Sequence, residues 1–310
     1  MVDRQSRGNV PPPTWARFVR PALFLFILLV ALWVVLGRGG GGDHAGTTTS
    51  TTGSEPSRLL KLEVNSSAVG KTLPVNVIEP ADEGESEKQK ARRGAVIFLH
   101  GRGSTQDSVI TTALYESLRR MGPDAPVMIF PYGDDSSYFH DRDSGDWPNY
   151  VLHEALDEAR NVVLFDRDRL AIGGISMGGF GALNIAFENP DRFCAVAGHS
   201  PAIFMSGAET AEAAFDDAED FEAHDLVRIA SERPGVFGKT PIWIDVGEED
   251  PFLEGASALA GNLKAAGTKV TWKIGPGGHT GAYWDGNWDR YLRFYAESLA
   301  TCDARRNLGN

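Results

Sequence analysis

The residues best suited to chemistry surround a serine between glycines, in the segment Gly174-Ile175-Ser176-Met177-Gly178. An apolar run precedes this segment and a helical pattern follows it, so the sequence predicts a strand, a tight turn and a helix. Only glycine fits beside the serine in such a turn, which lifts the hydroxyl above the edge of a sheet and places it near the amides of the helix N-terminus. A glycine-rich helix cap with an incidental serine is the alternative. The flanking elements favour a nucleophile at Ser176.

A serine hydroxyl is a weak nucleophile at neutral pH, so it needs a general base that is held by an acid. Of the seven histidines, His279 is the one placed for this role. It lies in a glycine-rich loop at residues 275–280, after the last predicted strand, where the chain can bring an imidazole across the end of the sheet. It also follows the serine in the chain, as the base does in serine enzymes with this turn. We therefore predict that His279 takes the proton from Ser176.

The acid is expected after the preceding predicted strand, in a segment that contains Asp245, Glu248, Glu249 and Asp250. Asp245 lies within the strand, whereas Asp250 ends the turn and faces the carboxyl edge of the sheet. We therefore predict that Asp250 orients His279. Glu249 and Glu248 remain alternatives, and Asp250 could instead serve only as the N-cap of the next helix.

Acyl transfer also requires backbone donors for the negative charge that develops on the carbonyl oxygen. The amide of Met177 directly follows the nucleophile, and a second amide is expected from the loop at residues 100–104, after a buried strand. The Arg102 amide is the first choice in that loop. The side chain of His100 is either a structural hydrogen-bond partner or a second base, and we expect the structural role.

These side chains need strands that end at one edge of a sheet, and the sequence alternates strand and helix patterns accordingly. Apolar, β-branched runs predict strands at 59–64, 73–78, 95–99, 127–130, 169–172, 193–197, 242–246 and 269–274. Helical patterns occur at 106–120, 149–164, 177–188, 253–266 and 287–300. This alternation predicts a mostly parallel sheet with helices on both faces and, since no helix separates the first two strands, an antiparallel edge. Residues 202–238 fit the alternation less well and are expected to pass over the carboxyl edge.

The N-terminal part of the chain differs in character from the rest. An apolar segment between Arg20 and Arg38 is close to the roughly 20 residues that a membrane-spanning helix needs. Four arginines precede it and one follows, so the positive-inside rule places the N-terminus in the cytoplasm and the body outside. A signal anchor is predicted, with a cleaved signal peptide as the alternative. The predicted divisions are 1–18 (basic N-terminus), 19–36 (transmembrane anchor), 37–58 (Gly/Ser/Thr-rich linker), 59–302 (catalytic domain) and 303–310 (tail).

Composition restricts the partners of the body. The chain has a formal net charge of -12, of which residues 1–42 contribute +4, so the remainder carries -16. An acidic body argues against a nucleic-acid partner, and 42% hydrophobic residues are typical of a globular protein. Two cysteines exclude a disulfide-rich scaffold. Cys194 is expected to be a buried thiol, with a bridge to Cys302 as the alternative.

Three other features are given no catalytic role. The segment at 141–146 matches a calcium loop only in part, because Leu152 stands at the twelfth position, where an EF-hand has glutamate, and a solvated loop over the active-site edge is expected. Tyr138, Phe139 and Trp147 either line an acyl or aryl pocket or are exposed packing residues. The acidic run at 216–222 is expected to be a solvated face. No phosphate, flavin or nicotinamide motif is found in its required context, and neither a cofactor nor a metal is predicted.

Five blocks of sequence carry a resemblance to a known family. They are FLHGRGS (98–104), GISMGGFGAL (174–183), NPDRF (189–193), GEEDPFL (247–253) and GH (278–279). In this order they resemble the α/β-hydrolase esterase family, which includes esterase D (S-formylglutathione hydrolase), tributyrin-type esterases, feruloyl esterases and cell-wall mycolyltransferases. The resemblance implies an α/β-hydrolase fold with about eight mostly parallel strands. It also implies Ser176 as nucleophile, Asp250 as acid and His279 as base.

The residues and the resemblance together predict an exported serine hydrolase that cleaves carboxylic esters through an acyl-enzyme. The expected partners are a small-molecule, lipid or cell-wall ester as substrate and the membrane through the N-terminal helix, without a cofactor or nucleic acid. One alternative is an acyltransferase that moves acyl groups onto cell-envelope alcohols. The second is a non-catalytic binding protein of the cell envelope on a hydrolase scaffold.

Overall fold

The computed structural model describes residues 57–81 and 84–302. The predicted basic N-terminus, transmembrane anchor and C-terminal tail, and most of the predicted linker, lie outside the described residues. Within the described part of the chain, no helix combines the length and the apolar character that crossing a membrane requires.

Eight strands form one sheet, and a short hairpin stands apart from it. The strands are β1 (Arg58–Ser66), β2 (Lys71–Glu79), β3 (Ala95–Leu99), β4 (Val127–Pro131), β5 (Asp141–Arg142), β6 (Gly145–Asp146), β7 (Leu170–Ile175), β8 (Ala195–His199), β9 (Ile242–Gly247) and β10 (Val270–Gly275). The sheet order is β1-β2-β4-β3-β7-β8-β9-β10, and β5 pairs with β6. In the large sheet β2 runs antiparallel to both neighbours, and the other pairs are parallel. The predicted mostly parallel sheet with an antiparallel edge is confirmed.

Helices cover both faces of the large sheet. They are α1 (Glu87–Lys90), α2 (Thr112–Met121), α3 (Trp147–Asn149), α4 (Ala155–Val162), α5 (Met177–Glu188), α6 (Ala218–Ala223), α7 (Leu226–Glu232), α8 (Leu253–Ala265), α9 (Gly281–Asp285) and α10 (Trp288–Ala300), with a π-helical turn (Tyr150–Glu154) between α3 and α4. One apolar cluster packs α2 and α10 against one face, and another packs α4, α5 and α8 against the opposite face. Strand β3 serves both clusters, because its successive side chains point to opposite faces.

The helix predicted from residue 106 begins only at Thr112. Thr111 provides its N-cap, and the residues before it form turns. Asp107 is held outside the helix by hydrogen bonds from Lys61 and Asn76. The helix is therefore six residues shorter at its start than predicted, and the Thr111 cap marks its first turn.

Helix α5 lies beside β3, β7 and β8 and is buried along almost its whole length. Its close approach depends on Gly174 and Gly178. A Cβ on Gly178 would overlap the Leu99 carbonyl, and a Cβ on Gly174 would overlap the carbonyl of Gly178. These two glycines therefore allow the helix to begin directly against β3.

Two predictions about the region near the hairpin are corrected by burial and charge pairing. Tyr138, Phe139 and Trp147 are all buried, so none of them is an exposed packing residue. The acidic run is only partly solvated, because Asp216 forms an ion pair with Arg142 and Asp220 contacts His140.

Cys194 and Cys302 form a disulfide, so the expectation of a buried free thiol is wrong. Cys194 directly precedes β8, and Cys302 follows α10, which packs against β7 and β8. The return of α10 across the sheet brings the two Cα atoms to 5.3 Å although 108 residues separate them in the chain. The bridge fastens the C-terminal helix to a central strand.

Candidate active site

Ser176 occupies the turn between β7 and α5 in a backbone conformation that side chains rarely adopt. Its φ is 55° and its ψ is -117°, and such a conformation persists only where neighbouring contacts enforce it. Here the Ser176 amide donates to the His199 carbonyl at 3.0 Å, and the Ser176 carbonyl accepts from the amides of Phe180 and Ala202, both at 3.0 Å. The turn therefore holds the hydroxyl in a fixed direction.

His279 lies in the loop between β10 and α9 and joins two of the other predicted residues. Its Nε2 is 2.9 Å from Ser176 Oγ, and its Nδ1 is 3.0 Å from Asp250 Oδ2. With Nδ1–H donating to the carboxylate, the lone pair on Nε2 is free to accept the serine proton. The ring packs edge-on against Phe252 and Trp284, and 24% of the side chain is exposed. The imidazole is thus oriented on one side and accessible on the other.

Asp250 lies in the turn after β9, and its side chain is fully buried. Its Oδ1 accepts a hydrogen bond from the Phe252 amide at 2.9 Å, so the carboxylate caps the following turn and also holds His279. Burial by itself raises the pKa of Asp250, but the hydrogen bonds from His279 and Phe252 outweigh it and keep the pKa below its ordinary value. The alternatives Glu248 and Glu249 are exposed.

A cavity of about 230 Å³ opens beside Ser176 and His279. Its apolar wall includes Val109, Trp284 and Trp288, and Arg102 lies on its rim. A larger cavity of about 780 Å³ lies near the amino ends of β3, β4 and β7 and includes none of these residues. The serine and histidine are therefore served by the smaller cavity.

Both amides predicted as oxyanion donors belong to segments beside the serine. Met177 follows Ser176 in the chain, and the loop that carries Arg102 passes close to it in space. Met177 opens α5, and the loop that carries Arg102 passes so near that a Cβ on Gly101 would be 3.5 Å from Ser176 Cβ. Among the described residues, neither amide donates to another protein group. The Arg102 guanidinium turns away and donates to the Glu212 carbonyl at 3.0 Å. The loop thus leaves two backbone donors free beside the hydroxyl.

His100 supports this loop with both ring nitrogens. Its Nε2 accepts from the Gly133 amide at 2.9 Å, and its Nδ1 donates to the Gly101 carbonyl at 2.8 Å. Burial lowers the pKa of His100 to about 4, against the opposing effects of the Gly101 carbonyl and Asp135. A buried neutral imidazole with both nitrogens engaged is a structural group, which agrees with the role expected for it.

A second histidine–aspartate pair was not anticipated from the sequence. His199 Nδ1 lies 2.6 Å from Asp245 Oδ1, and His199 Nε2 lies 2.9 Å from the Tyr295 hydroxyl. The remaining partners of the Asp245 carboxylate are donors at 2.7–2.9 Å, namely Trp243 Nε1, Tyr283 Oη and Tyr291 Oη. The only signal in the sequence was an aspartate inside a buried strand, which must find hydrogen-bond donors but does not identify them.

Comparison with known proteins places this geometry in context. The model of the Esterase family, described as "Putative esterase", matches residues 66–294. The S-formylglutathione hydrolase of Bos taurus is 31% identical over 126 residues, which are 39% of this chain and 44% of that protein. The acetyl esterase of Caldicellulosiruptor saccharolyticus is 23% identical over 76% of this chain and 95% of that protein. The chain therefore spans less than half the length of the bovine relative.

Solved structures show the same fold. A ferulic acid esterase superimposes with a TM-score of 0.70 and 20% identity, covering 79% of this chain and 99% of that one. The S-formylglutathione hydrolase of Agrobacterium tumefaciens gives a TM-score of 0.66 at 18% identity, covering 80% of this chain and 97% of that one. At such identities the likeness establishes the α/β-hydrolase fold alone.

Proposed function

Since this chain belongs to the esterase family, we propose that it is a serine hydrolase that cleaves carboxylic esters through an acyl-enzyme. The observation that carries the proposal is the continuous line of hydrogen bonds from Ser176 Oγ through His279 to Asp250. Ser176 and His279 both line the cavity. A hydroxyl, an imidazole and a carboxylate in this order form the arrangement that activates serine for acyl transfer.

In the first half-reaction, Ser176 Oγ attacks the ester carbonyl while its proton passes to His279 Nε2. Asp250 keeps the proton of Nδ1 directed toward itself, so Nε2 presents its lone pair, and the carboxylate then stabilises the imidazolium. The low pKa of Asp250 keeps the carboxylate ionised during this step. The imidazolium gives its new proton to the leaving alcohol, and the acyl group remains on Ser176.

We assign to the Arg102 and Met177 amides the stabilisation of the negative charge that develops on the carbonyl oxygen. Preorganised backbone donors contribute on the order of 10²–10³ in rate each, because they stabilise charge that appears only in the transition state. In the second half-reaction, water attacks the acyl carbonyl while its proton passes to His279, and the imidazolium then returns that proton to Ser176 Oγ as the free acid leaves. Both half-reactions use only groups of the chain and water.

The size of the cavity favours short acyl groups. At about 230 Å³ it is smaller than the roughly 300–1,000 Å³ of sites that enclose drug-sized ligands. The names of the two relatives denote one-carbon and two-carbon acyl groups, formyl and acetyl. We therefore place short-chain esters first among the substrates.

The test is a series of nitrophenyl esters of increasing acyl length, together with labelling by a fluorophosphonate. We expect the highest kcat/KM for acetyl and propionyl esters, and stoichiometric labelling that is lost in Ser176→Ala with a fall of at least about 10⁴ in kcat. Labelling with no turnover in water but transfer to an added alcohol would show an acyltransferase. Absence of both labelling and turnover in a folded chain would leave only the binding-protein interpretation.

We further propose that the chain is exported, with residues 1–18 in the cytoplasm, 19–36 as a membrane anchor, 37–58 as a tether, 59–302 as the hydrolase domain and 303–310 as a tail. Its support is the uncharged apolar segment flanked by arginines and the Cys194–Cys302 disulfide, because disulfides persist mainly in oxidising compartments. In untreated cells the esterase activity should sediment with the membranes. Protease added to intact spheroplasts should remove this activity. Activity that remains protected inside the cells would contradict export.

A further inference from the structure

A group of two histidines and one aspartate, distinct from the candidate active site, consists of His140, Asp220 and His224. We call it the His140 cluster. His140 Nε2 is 3.0 Å from Asp220 Oδ2, and His224 Nδ1 is 2.9 Å from Asp220 Oδ1. One ligand atom from each of the three side chains lies within 4.8 Å of the others. Two imidazoles therefore face the two oxygens of a single carboxylate.

The cluster joins two segments that are far apart in the chain. His140 directly precedes the β5–β6 hairpin, whereas Asp220 belongs to α6 and His224 caps its C-terminus. Residues four apart lie on the same side of a helix, so α6 presents the carboxylate and the second imidazole together. The same spacing serves paired ligands in helical zinc sites.

The side chains are shielded from solvent and held in place by packing. His140 is 0% exposed, Asp220 12% and His224 13%. The His140 ring contacts the rings of Phe180 and Phe215, and its Nδ1 has no hydrogen-bond partner among the described residues. Packing and the Asp220 carboxylate thus fix the direction in which Nε2 points.

The surroundings of the cluster are acidic. Asp216 is neutralised by Arg142, and its amide donates to Asp220 Oδ2 at 2.7 Å. Glu188 Oε1 lies 3.8 Å from His224 Nε2. Within the described residues, Asp220 and Glu188 have no lysine or arginine partner, and the groups that face them are imidazoles, one main-chain amide and one side-chain amide. A divalent cation would balance this charge.

We propose that the His140 cluster binds one divalent transition-metal ion, for which zinc is the best match. Two imidazole nitrogens and a carboxylate oxygen form a donor set that suits zinc, whereas calcium and magnesium prefer oxygen ligands alone. Water supplies the fourth ligand. The ion displaces the hydrogen bonds that His140 Nε2 makes to the Asp220 carboxylate and that His224 Nδ1 makes to the carboxylate and main-chain carbonyl of Asp220.

The position of the cluster indicates a structural ion. From His140 the chain leads back to Tyr138, whose ring contacts Phe204; Phe204 contacts Phe252, and Phe252 contacts the ring of His279. An ion between α6 and the segment before the hairpin therefore fastens the aromatic packing behind the candidate active site. It has no contact with Ser176 and takes no part in ester cleavage.

The test uses the full-length chain with a non-histidine affinity tag, treated with chelator and then titrated with zinc in a calorimeter and in thermal unfolding. We expect one zinc ion per chain and a rise in Tm of about 5 °C or more at saturation, with no effect of magnesium. His224→Gln and the isosteric Asp220→Asn should each weaken zinc binding by at least about 100-fold. His153→Gln removes an exposed histidine outside the cluster and should leave binding unchanged.

Cobalt uptake by the unmodified chain gives a second measurement that does not depend on the folding of any variant. A visible absorption band of tetrahedral intensity that zinc abolishes is expected. The proposal is overturned if the chain binds no zinc at micromolar concentration, or if His224→Gln binds it as tightly as the unmodified chain. Because neither readout is ester hydrolysis, failure here leaves the proposed hydrolase function untouched.

Discussion

Two histidine–aspartate pairs lie at the carboxyl ends of neighbouring strands, and their surroundings make them chemically different. His279 joins Asp250 to the Ser176 hydroxyl beside a cavity. His199 joins Asp245 to the Tyr295 hydroxyl inside the core. The nitrogen–oxygen distance is shorter in the buried pair, 2.6 Å against 3.0 Å, so close contact does not by itself mark a reactive pair.

The second ring nitrogen of each histidine makes the difference. His279 Nε2 faces a serine hydroxyl at a cavity wall, and the Met177 amide that follows this serine donates to no other group among the described residues. His199 Nε2 faces a phenol that is fully buried, and burial raises the pKa of Tyr295 well above its ordinary value. The first pair can pass a proton to a reacting group, whereas the second has every polar atom engaged by the core. Access to the second ring nitrogen therefore distinguishes the pair that can transfer a proton from the pair that has a structural role.

The largest expected effect on activity comes from removing the charge of Asp250 in the accessible pair, His279 and Asp250. Asp250→Asn should lower kcat on a short-chain nitrophenyl ester by about 10³–10⁴, because the asparagine amide favours the wrong tautomer of His279. Urea unfolding should change by less than about 1 kcal/mol, since the amide oxygen can still accept from Phe252. Glu249→Gln, at an exposed neighbour, is the matched control. Activity of Asp250→Asn within tenfold of the unmodified chain would remove Asp250 from the mechanism.

The same substitution in the buried pair should affect stability instead. Asp245→Asn places an amide N–H₂ among donors and leaves part of the network without an acceptor, so the free energy of unfolding should fall by about 3–5 kcal/mol. The kcat of the folded fraction, counted by fluorophosphonate labelling, should stay within tenfold. A larger loss of kcat per labelled site would mean that the two pairs are not separate in function.

His100 extends the comparison to pH. Its folded-state pKa of about 4 lies below the ordinary 6.5, so the unfolded chain binds a proton first as the pH falls. The stability due to neutral His100 is fully present above pH 6.5 and is lost as the pH falls toward 4, by about 3 kcal/mol in total. His100→Asn should remove that part of the pH dependence, measured by urea unfolding between the two limits. If the free energy of unfolding of the variant depended on pH as steeply as that of the unmodified chain, this would contradict a buried neutral imidazole at His100.

The smallest effect concerns a tyrosine that binds the buried pair and lies close in the chain to the accessible pair. Tyr283 lies four residues after His279 and donates to Asp245 Oδ2 at 2.9 Å. Tyr283→Phe should cost about 2 kcal/mol of stability, as expected for a hydrogen bond to a charged group, and should lower kcat a few-fold by loosening the His279 loop. Tyr291→Phe removes an equivalent hydrogen bond from α10 and should cost similar stability without loss of kcat. Equal kcat in both variants would show that the buried network does not position His279.

The sequence predicted the framework well because its signals were local. The strands of the sheet were found from apolar runs, and β3 and α5 were placed to the residue. Strand–turn–helix patterning around Ser176 and the glycines before His279 indicated which side chains would reach one edge of the sheet. The choice of Asp250 over Asp245 rested on their positions relative to the end of β9, and the structure directs only Asp250 to His279.

What the sequence did not predict depends on partners far apart in the chain. No spacing rule joins Cys194 to Cys302, because only the path of α10 brings them together. In the turns before α2, Asp107 has partners on β1 and β2 that the local pattern does not show. His140 and Asp220 lie 80 residues apart and meet only when α6 folds over the segment before the hairpin. Such long-range contacts follow from the topology of the fold, and local sequence patterns carry no information about them.

The bond between Cys194 and Cys302 also determines what help the chain needs to mature. A protein with two cysteines has no wrong internal partner for either thiol. Maturation therefore requires an oxidase that introduces one bond, but not an isomerase that rearranges bonds. The hazard is intermolecular, since the thiol before β8 emerges during synthesis long before its partner after the last helix and can meanwhile cross-link to a neighbouring chain.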